Sequence, residues 1–174
     1  LEVVRDDDIV WIHDYHLFLL PGLLRKAKPN LTIGYFLHIP FPAFEIFRLL
    51  PGKWKLEILE GMLGADLVGF HTIEYKRYFL DALQMVLNVE NEFGKVYYRK
   101  RVIGTDLFPI GIDYQKFNEA GKDPEVTRLK QDIKKNFSQH QIIFSLDRLD
   151  YTKGVMQRLN GYENERQQCV EHLH

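Results

Sequence analysis

The chain has 174 residues, 45% apolar and 27% charged, with a formal net charge of -1. That is enough for a domain-sized core, too apolar for disorder as the default, and without the basic surplus of a nucleic-acid surface. A single cysteine, Cys169, excludes an internal disulfide and fits a reducing, cytoplasmic setting. No apolar run approaches the ~20 residues needed to cross a bilayer, so no membrane partner is expected. The opening LEVVRDDD lacks the basic and apolar parts of a signal peptide and an initiator methionine, which predicts a piece of a cytoplasmic protein.

DIVWIH (8–13) predicts a buried strand and FLLPGLLRKA (18–27) a helix with Pro21 near its start. LTIGYFLH (31–38) predicts a second strand, and FPAFEIFRLL (41–50) and KWKLEILEGML (53–63) two short helices parted by Pro51-Gly52. ADLVGFH (65–71) is a third strand, followed by the amphipathic helix TIEYKRYFLDALQMVL (72–87) with Thr72 as N-cap and Glu74 in its first turn. KVYYRKRVIG (95–104) has the polar–aromatic alternation of an exposed strand or hairpin, and TDLFPIGID (105–113) predicts a strand ending at Gly111. Residues 114–140 are charged and helical in pattern, with Pro124 among them. QIIFSLDRLD (141–150) predicts one more buried strand, leading into YTKGVMQRLNGYENERQ. Near-continuously apolar strands alternating with helices predict an α/β fold, a Rossmann-like parallel sheet covered on both faces.

Three successive strands end in histidine: His13, followed by Asp14, then His38 and His71. In a parallel sheet all three tips open at the carboxyl edge, where doubly wound folds bind ligands. Taken singly, His13 and His71 read as caps of the following helices. Taken together, the repetition follows topology and marks a crevice. His13 and His16 of HDYH also raise metal binding, but they straddle a strand end and no cysteine pair supplies further ligands. Pro40 and Pro42 after His38 fix a rigid loop, which suits an aimed residue and an ordinary strand-to-helix turn equally.

In SLDRLDYTKGV (145–155) Thr152 is a candidate N-cap for a helix starting near Lys153. Lys153 and Arg148 are unfavourable at the positive end of a helix unless an anion sits there. The competing reading is that Asp147 and Asp150 hold these cations as surface ion pairs, which contribute little. The two readings stand even.

The segments VWIHDYHLFLLPGLLR, IGYFLHIPFPAFEIFRLLP, MLGADLVGFHTIEY, FPIGID and DRLDYTKG, in this order from residue 8 to about 163, resemble the trehalose-6-phosphate synthase family. The resemblance implies a retaining glycosyltransferase of the two-domain GT-B architecture. Such an enzyme moves glucose from UDP-glucose to glucose 6-phosphate, gives trehalose 6-phosphate, and needs no cofactor and no metal for the chemistry. By motif position Asp14 would bind the acceptor glucose and His38 the donor glucose. Arg148 and Lys153 would hold the donor diphosphate, with His38, Arg148 and Lys153 as the catalytic set. The same resemblance implies that residues 1–112 are the later part of the N-terminal acceptor domain. Residues 113–174 would be the crossover and the beginning of the nucleotide-sugar domain. It further implies that the family's glycine-bearing loop precedes the chain, that the acidic ribose ligand follows it, and that these residues alone do not turn over. A homo-oligomer, a fused phosphatase domain and the nucleotide of the donor stay open. So do two other functions: a non-catalytic homologue that senses sugar phosphate, and a glucosyltransferase with another phosphorylated acceptor. After Gly154 the likeness weakens, and Asn160-Gly161 falls inside an expected helix, where glycine costs ~1 kcal/mol against alanine.

Overall fold

A computed structural model describes residues 4–5, 7–139 and 142–171, the last seven of them as backbone only. The chain divides into two compact units, Leu1–Ile112 and Asp113–His174.

The first unit is a six-stranded sheet flanked by helices. Strands β1 (Ile9–His13), β2 (Thr32–Phe36), β3 (Leu67–Phe70) and β6 (Arg101–Leu107) run parallel. Strands β4 (Asn91–Glu92) and β5 (Lys95–Tyr98) add an antiparallel margin, giving the order β1-β2-β3-β6-β5-β4. The exposed strand or hairpin expected over 95–104 is this margin, set beside the expected parallel strands. Two residues, Arg99 and Lys100, join β5 to β6, and so short a link admits only antiparallel pairing. Both take positive φ, 47° and 65°, as the favoured two-residue hairpin turn demands. The strand expected over 105–113 is the end of β6, which starts at Arg101 and stops at Leu107, before Pro109.

Helices α1 (Leu20–Ala27), α2 (Phe44–Phe47), α3 (Gly52–Met62) and α4 (Ile73–Leu87) supply the cover. α2 is shorter than the expected 41–50, held back by Pro40 and Pro42 and closed off by Pro51. α4 matches its expectation: the Thr72 hydroxyl accepts from the Tyr75 amide at 3.4 Å, and Asn88 ends the helix in the left-handed region. Ile12, Ile33, Tyr35, Val68 and Ile103 point from one sheet face into a core shared with Phe41, Leu59, Met62, Phe79 and Leu83. Burying each such side chain contributes about 1.5–3 kcal/mol. α1 lies main chain to main chain against the end of α3. A Cβ on Gly64 would stand 2.3 Å from the Gly22 nitrogen, so only glycine fits there.

On the opposite face Trp11, Gly34, Leu67 and Gly104 are in register. There Trp11 is 68% exposed and Leu67 39%. Cover on both faces was expected, and among the described residues only one face has it.

In the second unit α5 (Tyr114–Glu119) and α6 (Pro124–Asn136) start from the carboxylates of Asp113 and Asp123, which accept from the Lys116 and Glu125 amides at 3.0 and 2.8 Å. Pro124 occupies the first turn of α6, where its missing donor costs nothing. The buried strand expected over 141–150 is not formed among the described residues, and Phe144 is 81% exposed. A strand needs a neighbour for its hydrogen bonds, and every other strand described lies in the first unit. α7 (Val155–Glu171) runs unbroken through Asn160-Gly161. No helix of the described residues is long and apolar enough to cross a membrane.

Candidate functional site

Parallel pairing brings the three strand-terminal histidines together. The Asp14 amide donates to the Phe36 carbonyl at 2.8 Å and the Leu37 amide to the Gly69 carbonyl at 3.1 Å, which extends the ladder past the strand ends. His13 Nδ1 and His38 Nε2 lie 2.9 Å apart, at hydrogen-bond distance, with donor and acceptor set by the ring tautomers. The rings of His38 and His71 are 5.6 Å apart, with Phe36 edge-on to both at 4.7 and 4.8 Å. The capping roles open to His13 and His71 are not taken. Thr72 caps α4, and neither the single turn Tyr15–Leu17 nor α1 has a side-chain cap. His16 stacks instead on Tyr15. Among the described residues no three metal-ligating side chains converge. His13 and His38 open on a cleft of about 550 Å³ whose floor is the bare sheet face around Trp11, Gly69 and Phe108.

Asp14 is the strained residue of this edge. Its φ of 68° and ψ of 170° lie in a region that essentially only glycine occupies, at a cost of about 1–3 kcal/mol. Its Oδ1 is buried and has no hydrogen-bond partner among the described residues. A buried acceptor without a donor costs about 1–3 kcal/mol more. Two penalties fall on one residue at the carboxyl edge of a parallel sheet, and an incoming hydroxyl or amine has the chemistry to relieve the second. Sequence reasoning selects Asp14 by its place after a strand, but its backbone conformation has no signature in residue type. It also passes over Tyr35, whose hydroxyl donates to the Asp14 carbonyl at 3.0 Å. The one signal for that residue is a polar tip inside an otherwise apolar strand.

Arg148 and Lys153 lie in the second unit, on an exposed segment. Neither cation is in a direct ion pair among the described residues, although both act on Asp150 through their charge. Asp147 is engaged by Arg158 at 2.6 Å, and Asp150 accepts from the Thr152 amide and hydroxyl at 2.9 and 3.0 Å. Among the described residues neither Arg148 nor Lys153 has an ion-pair partner. The two hydrogen bonds from Thr152 hold the Asp150 carboxyl below its usual range, and the nearby charges of Arg148 and Lys153 assist. Thr152, expected as an N-cap, is thus corrected: it donates, Asp150 caps the turn Tyr151–Lys153, and left-handed Gly154 (φ 61°) separates that turn from α7. Arg158 was missed from sequence. From the first turn of α7 it reaches Ser145 Oγ, Asp147 and the Lys153 carbonyl, and so pins both ends of the segment that carries the two cations. Its signal was a further cation in a helix turn that disfavours one.

The model of glycosyltransferase family 20 matches residues 1–172. The chain is 44% identical over 161 residues to a bifunctional trehalose-6-phosphate synthase/phosphatase of Thermoproteus tenax, covering 92% of this chain and 22% of that protein. It is 45% identical over 167 residues to the 56 kDa subunit of the UDP-forming alpha,alpha-trehalose-phosphate synthase of Saccharomyces cerevisiae, covering 93% and 33%. The structure matches that of the UDP-forming synthase of Burkholderia xenovorans in complex with glucose-6-phosphate at a TM-score of 0.76 and 32% identity, over 94% of this chain and 36% of that one. The chain thus spans between a fifth and about a third of the length of these relatives. A sheet with histidine-tipped parallel strands and a family match along nearly the whole sequence agree: the chain belongs to glycosyltransferase family 20.

Proposed function

We propose that the chain is part of a UDP-forming trehalose-6-phosphate synthase that transfers glucose from UDP-glucose to glucose 6-phosphate with retention of configuration. Residues 1–112 belong to the acceptor domain, and residues 113–174 lead into the nucleotide-sugar domain. The observation that carries the reading is Asp14, whose buried, unpartnered Oδ1 suits a sugar hydroxyl as donor. His38 serves the donor glucose. With its Nε2 engaged by His13, Nδ1 is the ring nitrogen left for a hydroxyl. Arg148 and Lys153, exposed and in no direct ion pair among the described residues, suit a diphosphate.

In the transfer the bond from the anomeric carbon to the diphosphate breaks, and a bond to the anomeric oxygen of the acceptor forms on the same face. The acceptor's proton passes to the departing phosphate oxygen. Negative charge collects on the UDP, and the two cations stabilise it in place of water. No side chain acts as nucleophile and no step is assigned to a metal; UDP-glucose is a co-substrate. The setting is cytoplasmic.

The test is UDP release by the full-length protein supplied with UDP-glucose, with and without glucose 6-phosphate. Release that depends on glucose 6-phosphate is expected. Its absence counts against the reading, and binding of glucose 6-phosphate without release would mark a non-catalytic homologue. GDP- and ADP-glucose in the same assay fix the donor. Phosphate release from trehalose 6-phosphate reports a phosphatase activity of the kind named in the Thermoproteus relative.

A further inference from the structure

Tyr35 is the fourth of the five residues of β2, at 2% exposure, paired across the sheet with Ile12 and Val68, its ring 6.3 Å from that of Phe18. Phenylalanine would fill this volume with no polar atom to satisfy, so the hydroxyl needs its own reason. It donates to the Asp14 carbonyl at 3.0 Å, an oxygen that also accepts from the Leu17 amide at 3.2 Å. On the other side of Asp14 its amide is bound to the Phe36 carbonyl at 2.8 Å. β2 therefore grips residue 14 twice, once through its main chain and once through a side chain. A conformation such as φ 68°, ψ 170° persists in a non-glycine residue only when the surroundings over-determine it. Burial raises the pKa of the phenol and the Asp14 carboxylate adds to this, so the hydroxyl remains a donor.

We propose that Tyr35 is a positioning residue for the acceptor site: its hydroxyl locks the strained Asp14 peptide and so aims the carboxylate that accepts from a hydroxyl of the acceptor sugar. This rests on the reading of Asp14 as an acceptor ligand. Tyr35 does not touch substrate itself. Its loss loosens Asp14 without removing a contact to the donor, so the two substrates respond differently.

The experiment compares Tyr35→Phe with Tyr98→Phe in the full-length protein. Tyr98 is the control because it also loses a hydrogen bond, 2.7 Å to Glu60, but in the hairpin strand β5. Tyr35→Phe should raise KM for glucose 6-phosphate about fivefold to tenfold, the equivalent of one hydrogen bond, with KM for UDP-glucose unchanged. Tyr98→Phe should move neither. A crystal structure of Tyr35→Phe gives an independent readout, since residue 14 should relax out of positive φ. Unchanged φ, or equal changes in both KM values, overturns the positioning role. Wild-type protein that shows no response to glucose 6-phosphate overturns the acceptor reading itself, and a normal wild type beside an unaltered Tyr35→Phe overturns only the inference drawn from it.

Discussion

Replacing Asp14 separates what its backbone costs from what its side chain does. Both Asp14→Gly and Asp14→Ala delete the buried, unpartnered Oδ1 and should recover about 1–3 kcal/mol. Only glycine also relieves the strain at φ 68°, ψ 170°, about 1–3 kcal/mol. Against this, glycine has a more flexible unfolded chain than alanine, at about 0.5–1 kcal/mol. The balance leaves Asp14→Gly more stable than Asp14→Ala by about 1 kcal/mol, the reverse of the usual order. Equilibrium urea unfolding reads this through Trp11, which lies on the same strand as the site. Titration with glucose 6-phosphate should find binding lost in both variants, so that stability and function move in opposite directions. Alanine equal to or better than glycine would refute the strain argument. Undiminished binding would refute the role given to the carboxylate.

Arg148→Ala and Lys153→Ala should each slow UDP release about 100-fold or more with unfolding unchanged, because both side chains are exposed; a loss under tenfold would detach them from the diphosphate. Lys100→Gly should raise stability by about 1 kcal/mol in urea unfolding, since Lys100 occupies φ 65° in the hairpin turn. The pKa of Tyr98 is pushed up to about 12 from the ordinary 10.0 of a tyrosine, first by burial and then by its bond to Glu60. In the unfolded chain its proton leaves at lower pH, so this contribution to stability is whole below pH 10 and lost as pH rises toward 12. Unfolding at stepped alkaline pH should show Tyr98→Phe with a shallower decline than wild type, and parallel curves would count against the shift.

What could be read from residue order was the part governed by local pattern. Strands ending in His13, His38 and His71 were visible as apolar runs with polar tips, and Thr72 announced α4 as a cap does. The parallel arrangement then followed from alternation with helices, and the histidine cluster with it. The strand expected at 141–150 failed because pairing depends on a partner strand, which no local pattern reports. Trp11 and Leu67 read as buried, since apolar residues on both faces of a strand imply two covers, while the described residues provide one. Asp14 and Tyr35 show a third limit. Residue types gave their neighbourhood, but the positive φ and the hydroxyl aimed at it arise only when β1 and β2 lie side by side.

At the other pole of the sheet, where the parallel strands begin, one carboxylate gathers three chain segments. Asp66 takes Arg25 of α1, Arg101 of β6 and the Ile33 amide of β2, all within 2.7 to 2.8 Å. The entry ends of the strands are thereby stapled by charge, while their exit ends are left with an ill-at-ease aspartate and a bare histidine pair. Rigidity at one extremity lets the other tolerate discomfort. Damage to the staple should therefore strand Arg25, whose side chain is 13% exposed, without its carboxylate and be felt first as lost stability.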